Sequence, residues 1–168
     1  MKTLTQYLAQ YAAYHRDQRN ILTHLIGIPI IVIAITILLS RPGFITAGLW
    51  LSPALVLTGL ATLFYLRLDI RFGIAMGVFF ILCLWISMHV AQLSTSIWLT
   101  IGVGLFILGW IIQFIGHYYE GRKPAFIDDI MGLAIGPLFV AAELAFLLKL
   151  RKPLEHEVEK QLVLQTEK

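Results

Sequence analysis

Five histidines are the residues of this chain best suited to chemistry: His15, His24, His89, His117 and His156. Nearly all of them sit where long apolar stretches meet polar sequence. Imidazole titrates near physiological pH and is a common transition-metal ligand. His15 and His24 are nine residues apart, which on one continuous helix leaves them on opposite faces, since nine steps of about 100° end half a turn away. A break at Asp17–Arg19 removes that conflict: His15 then ends one helix, His24 sits in the first turn of the next, and both face one junction. His117 closes another apolar stretch, and Glu120 follows three residues later, on the same face if the helix continues. Three imidazoles and a carboxylate converging there form a donor set that suits Fe(II) or Zn(II). Each histidine taken alone reads as an interfacial anchor or a helix cap. Three of them, however, share one expected surface, and together they form a candidate site.

The elements that must position these residues are apolar. Residues 25–39, 49–66, 72–91, 97–115 and 131–148 carry almost no charge. Apolar residues make up 58% of the chain and charged residues 14%, where a soluble domain carries about a quarter. Too little polar surface remains to cover five such stretches in water. Their lengths approach the ~20 residues that cross a hydrocarbon layer. The expected fold is therefore all-α: a polytopic membrane bundle of about five apolar helices behind an N-terminal amphipathic helix. One domain is expected over 1–150, with 1–20 interfacial, 21–150 forming the bundle and 151–168 a polar tail.

Local signals support that outline. Leu4, Tyr7, Leu8, Tyr11 and Tyr14 recur at spacings of three and four, which predicts a helix over 3–15 with a tyrosine-rich face suited to the headgroup layer. Asn20 is placed to cap the first span, and Pro53 to open the second. Arg41-Pro42-Gly43 turns the chain. Asp69 lies between Arg67 and Arg71 in the link 66–71 and is available to pair with either. Gly136-Pro137 is expected to kink the last apolar segment. Cys83 lies within an apolar run and reads as core filler.

The net charge is +3. Its basic residues are scattered at segment ends, which suits anionic headgroups and excludes a nucleic-acid stripe. Lys2, Arg16, Arg19, the 67–71 link and the 117–129 loop fall on one side of five crossings, so that side is expected to be cytoplasmic. His15, His24 and His117 share it, while His89 falls at the opposite rim and His156 lies solvated in the tail. Lys149, Arg151 and Lys152 break the pattern, which a re-entrant last segment or one non-crossing segment would repair. Intramembrane Glu143 is a second candidate for chemistry, as a ligand, a proton carrier or an arginine's partner. Arg122 and Lys123 could clamp a fatty-acid carboxylate. Asp128-Asp129 is expected to cap the following helix.

Three strings go further: YHRDQRNILTHLIGIP at 14–29, GWIIQFIGHYYEGRKPAFIDD at 109–129 and GPLFVAAEL at 136–144. With LRLDIRFG at 66–73 they resemble the Mpo1-like family of small polytopic membrane proteins, from about Tyr7 to Leu150. The resemblance implies an Fe(II)-dependent dioxygenase that uses O₂ to shorten 2-hydroxy fatty acids by one carbon within a lipid bilayer. It implies metal ligands at His15, His24 and His117, with His89 less securely placed. A 2-hydroxy acid can chelate through its hydroxyl and carboxylate while Arg122 or Lys123 holds the carboxylate. Glu120 and Glu143 are the carboxylates available for catalytic roles. The expected location is a bacterial inner membrane, or the endoplasmic reticulum in a eukaryote. A small proton-coupled transporter is the competing class, motivated by Glu143, Asp69 and the broken last segment. The absence of an internal repeat counts against it. A non-catalytic adaptor using loop 116–129 is a third class with no specific support.

Overall fold

The computed structural model describes residues 2–166. The chain forms α1 (Leu4–Ala12), α2 (Gln18–Leu38), a hairpin of β1 (Phe44–Thr46) and β2 (Leu49–Leu51), then α3 (Pro53–Leu68), α4 (Ile70–Ala91), α5 (Thr95–Glu120), a 3₁₀ turn (Ala125–Ile127), α6 (Met131–Leu147) and α7 (Lys152–Thr166). Helix dominates, as composition and periodicity predict. The small antiparallel hairpin, with Ile45 opposite Trp50, was not anticipated.

Among the described residues, α2, α4 and α5 are each long and apolar enough to cross a membrane, and α6 with α7 makes a fourth if that bent pair counts as one span. α3 is apolar but only 16 residues long. At about 1.5 Å per residue, α2 reaches roughly 31 Å, close to a hydrocarbon thickness of about 30 Å. Leu60, Leu63, Ile74, Val78, Ile81 and Trp85 point outward, as helices facing acyl chains require.

The chain divides into two compact units. The first is residues 26–112. Within it, Ser52 caps α3 and Pro53 opens the helix, where its missing N–H costs nothing. Asp69 separates α3 from α4. Its Oδ1 accepts the backbone N–H groups of Arg71 and Phe72 at 2.9 and 3.1 Å, so it acts as a helix cap. Gly73 is required here, because a Cβ at that position would lie 2.6 Å from the Leu66 backbone. Arg41 donates to the carbonyls of Ala91 and Leu93 and stacks over Trp98, closing the end of α4.

The second unit joins residues up to 25 with residues from 113 onward. Thr3 and Gln6 form a reciprocal capping box that starts α1. α1 packs against both α6 and α7, and α7 buries Leu154 and Val158. The expected solvated tail is thus a packed amphipathic helix. α6 continues through Pro137. The chain instead breaks after Leu147, where Lys149 and Arg151 adopt positive φ and α7 departs at 119°.

Candidate metal centre

Two helices and the link between α1 and α2 supply the site, and all three histidines fall within the second unit. The break between α1 and α2 spans residues 13–17, slightly ahead of the expected position. His15 lies in that break, His24 in the second turn of α2, and His117 in the last turn of α5. All three are buried, at 3%, 2% and 7% exposure. Each offers one ligand atom, and these atoms lie within 4.8 Å of one another.

The hydrogen bonds fix the tautomers of two rings. His15 Nδ1 lies 2.8 Å from the Tyr11 carbonyl, and His24 Nδ1 lies 2.9 Å from the Asn20 carbonyl. A carbonyl can only accept, so both Nδ1 atoms donate, and both Nε2 atoms carry lone pairs. Those Nε2 atoms face each other at 3.0 Å. Two lone pairs at that distance repel unless a cation lies between or beside them. Nitrogens bonded to one ion at about 2.0–2.1 Å lie about 3 Å apart when the bonds are perpendicular, so the pair fits adjacent positions on a single metal. His117 Nδ1 is buried without a hydrogen-bond partner, which leaves it free to serve as a third donor.

Burial pushes the His15 imidazole down to about 4, against the helping carbonyl of Tyr11. It is therefore neutral at pH 7, the form that binds metal. Tyr11 stacks on His15 with centroids 4.2 Å apart and planes 4° from parallel, and Phe139 lies 4.8 Å from Tyr11. Tyr11 is thus a buried wall of the cluster, where the sequence reading expected interfacial packing.

Glu120 stands at the rim. Its carboxylate accepts the backbone N–H groups of Arg16 at 3.0 Å and Asp17 at 2.8 Å, and the Asn20 amide at 3.0 Å. The two backbone donors lie just ahead of α2 and the amide lies in its first turn, so Glu120 pins the lead-in to that helix from a distant segment. Asn20 is inside α2 and is not its N-cap, which corrects the expectation; Asp17 receives the Arg19 N–H at 2.8 Å instead. The loop after Glu120 is tied to α1 as well. Arg122 donates to the Ala13 carbonyl at 2.9 Å, and Asp128 takes Lys123 and the Tyr14 hydroxyl. Asp129 Oδ1 accepts the Met131 N–H at 3.0 Å, so the acidic pair splits between a tether and the start of α6.

His89 lies exposed in the last turn of α4, edge-on to Trp85, and does not belong to the three-histidine group. Glu143 is half-buried in α6. His156 is exposed on α7. Sequence reasoning passed over Gln113, one turn before His117 and 4% exposed. The signal was available, since an amide inside the apolar run IIQFIG is costly to bury and invites a reason.

Apolar helices of membrane-spanning length, together with a buried group of three imidazoles that could hold a metal ion, define a class: a membrane protein with a candidate metal centre. The comparisons narrow it. The family model described as "2-hydroxy-palmitic acid dioxygenase Mpo1-like" matches residues 1–148. The chain is 33% identical over 164 residues to the 2-hydroxy-palmitic acid dioxygenase MPO1 of Saccharomyces cerevisiae, covering 93% of this chain and 90% of that protein. No solved structure matches. The chain belongs to the Mpo1-like family.

Proposed function

We propose that this protein is an Fe(II)-dependent dioxygenase that removes one carbon from 2-hydroxy fatty acids within a membrane, with its metal near the cytoplasmic face. The observation that carries this reading is the pair of opposed Nε2 lone pairs on His15 and His24, 3.0 Å apart beside His117. A cation there would relieve the lone-pair repulsion, and the yeast relative's name supplies the reaction class.

The overall reaction balances without a further reductant. The 2-hydroxy acid and O₂ give an acid one carbon shorter, CO₂ and water. The bond between C1 and C2 breaks, C1 leaves as CO₂, and C2 becomes the new carboxyl. A ferrous ion held there would supply O₂ activation and a centre that the substrate's hydroxyl and carboxylate could chelate. His15, His24 and His117 would hold it. The chain's own contributions are steric and electrostatic. The Tyr11 and Asn20 carbonyls hold the ring orientations, as outer partners of ligand histidines do. Tyr11 and Phe139 exclude water from one side.

A shallow pocket between α1 and α6, with Tyr7, Gln10, Tyr11, Tyr14, Asp129 and Ile135 in its lining, has room for little more than one water, about 20 Å³, so an acyl chain entering beside Tyr11 would have to part these two helices. Arg122 and Lys123, in the polar loop after α5, would steer a carboxylate by exchanging their present partners, the Ala13 carbonyl and Asp128, for it. Glu143 remains the candidate for proton handling.

The test is anaerobic purification with Fe(II), metal analysis, then turnover of 2-hydroxyhexadecanoate with O₂ uptake measured. One iron per chain and stoichiometric release of the shortened acid are expected. Turnover that survives removal of all three histidines would overturn the reading.

A further inference from the structure

Gln113 is buried at 4% exposure, and its Nε2 has no hydrogen-bond partner. An amide N–H sealed away from water and unmet by an acceptor is destabilising. It persists in native proteins where something outside the resting fold uses it. The other orphaned amide atom in this unit has a packing account. Asn20 Oδ1 lies against Gly116, where a Cβ would come within 2.5 Å, and the Asn20 nitrogen is held by Glu120. Gln113 has no such account.

The helix registry says what Gln113 faces. Gln113, Gly116, His117 and Glu120 recur at spacings of three and four, so they share one face of α5. The last three all meet α2 or its lead-in. Glu120 binds the Arg16 and Asp17 N–H groups and Asn20. A Cβ at Gly116 would strike Thr23, and the His117 ring lies 5.0 Å from that of His24. Moving back along α5 moves forward along α2, so the helices run antiparallel. Gln113 therefore sits on the His117 face of α5, one turn further into the apolar stretch than His117, and its unmet donor is buried there.

We propose that Gln113 is a substrate-binding residue whose amide N–H donates to an oxygen of the 2-hydroxy acid bound at the cluster. This rests on the dioxygenase reading for the identity of the ligand. A carboxylate or 2-hydroxyl oxygen supplies the acceptor that the protein withholds. The acyl chain then continues away from the polar rim.

The test uses Gln113→Leu in the full-length protein in detergent, with two readouts. The first is thermal melting of metal-free protein. An apolar side chain of similar volume removes an unmet donor, so Q113L is expected to melt at or above the wild-type temperature. A clear drop would mean that the amide is satisfied within the fold, and would overturn the proposal. The second is anaerobic titration of the Co(II)-loaded protein with 2-hydroxyhexadecanoate, followed by cobalt absorption. Loss of a hydrogen bond to a charged acceptor predicts a Kd raised about tenfold or more in Q113L, with metal stoichiometry unchanged. Equal Kd values for the two proteins would overturn the role of Gln113 alone. Failure of wild-type protein to bind either cobalt or the hydroxy acid would instead overturn the dioxygenase reading and this ligand with it.

Discussion

Tyr11 and Asn20 each present a backbone carbonyl to the histidine four residues on, and this decides what the two imidazoles can do. With Nδ1 committed, each ring has only Nε2 to offer, and both point at one place. Replacing any one of His15, His24 or His117 by Ala leaves two nitrogens, and bound iron per chain should fall below one-tenth of wild type by metal analysis. The same burial makes the metal-free protein sensitive to acid. His15 is held at about 4 when folded, against 6.5 as its ordinary value. The unfolded chain therefore binds the proton first, and stability falls as pH drops from about 6.5 toward 4, by about 3 kcal/mol from this group. Above pH 6.5 it contributes nothing. Chemical denaturation of chelated protein at pH 7.5 and pH 4.5 measures the difference, and a flat profile would contradict the burial of His15. The three histidines were legible in sequence because they fall at the rims of apolar stretches and on one expected surface, unlike His89 and His156. The hold on their rings was not, since it is a backbone contact that any residue type at 11 and 20 could make.

At the scale of elements, the site depends on how the end of α5 grips the start of α2. Glu120 supplies acceptors for two backbone N–H groups and one amide, none of which has another use for its proton in that position. Glu120→Ala should cost about 2 kcal/mol and weaken metal binding, because His15 precedes the two N–H groups that are released. Glu120→Gln keeps one acceptor oxygen and should recover part of the loss; thermal melting and metal titration together resolve the two effects. Gly116→Ala tests the same contact by steric means, since its Cβ would collide with Thr23 and meet Asn20. A loss of about 1–3 kcal/mol is expected for overpacking there, again read by melting. The break before α2 and the cap on α3 could be foreseen from local residue types. The destination of Glu120 could not: helical spacing put it on the histidine face, but its partners lie 100 to 104 residues away. The turn into α7 was equally hidden, because Lys149 and Arg151 take positive φ without glycine to announce it.

Across the whole molecule, the apolar helices and the cluster answer to different constraints. Composition alone dictates helices that face acyl chains, and outward leucines and isoleucines follow from it. The count of spans is less legible, because hydropathy alone does not mark where a helix stops, and α3 ends at Asp69 after 16 residues. The cluster instead joins the two ends of the second unit, since His15 and His24 come from its first segment and His117 from its second. An ion shared by all three closes a long loop that the unfolded chain cannot hold, so binding must stabilise the fold by linkage. At free metal about 100 times Kd, the gain should be about 2.7 kcal/mol. It should appear as a melting temperature that rises with added Fe(II) or Co(II) under anaerobic conditions. The rise should vanish in His24→Ala, whose ring is buried at the centre of the group, and persist in His89→Ala, whose exposed ring lies against Trp85. An equal rise in all three proteins would show that the metal binds elsewhere, and the three-histidine centre would then have no stabilising role.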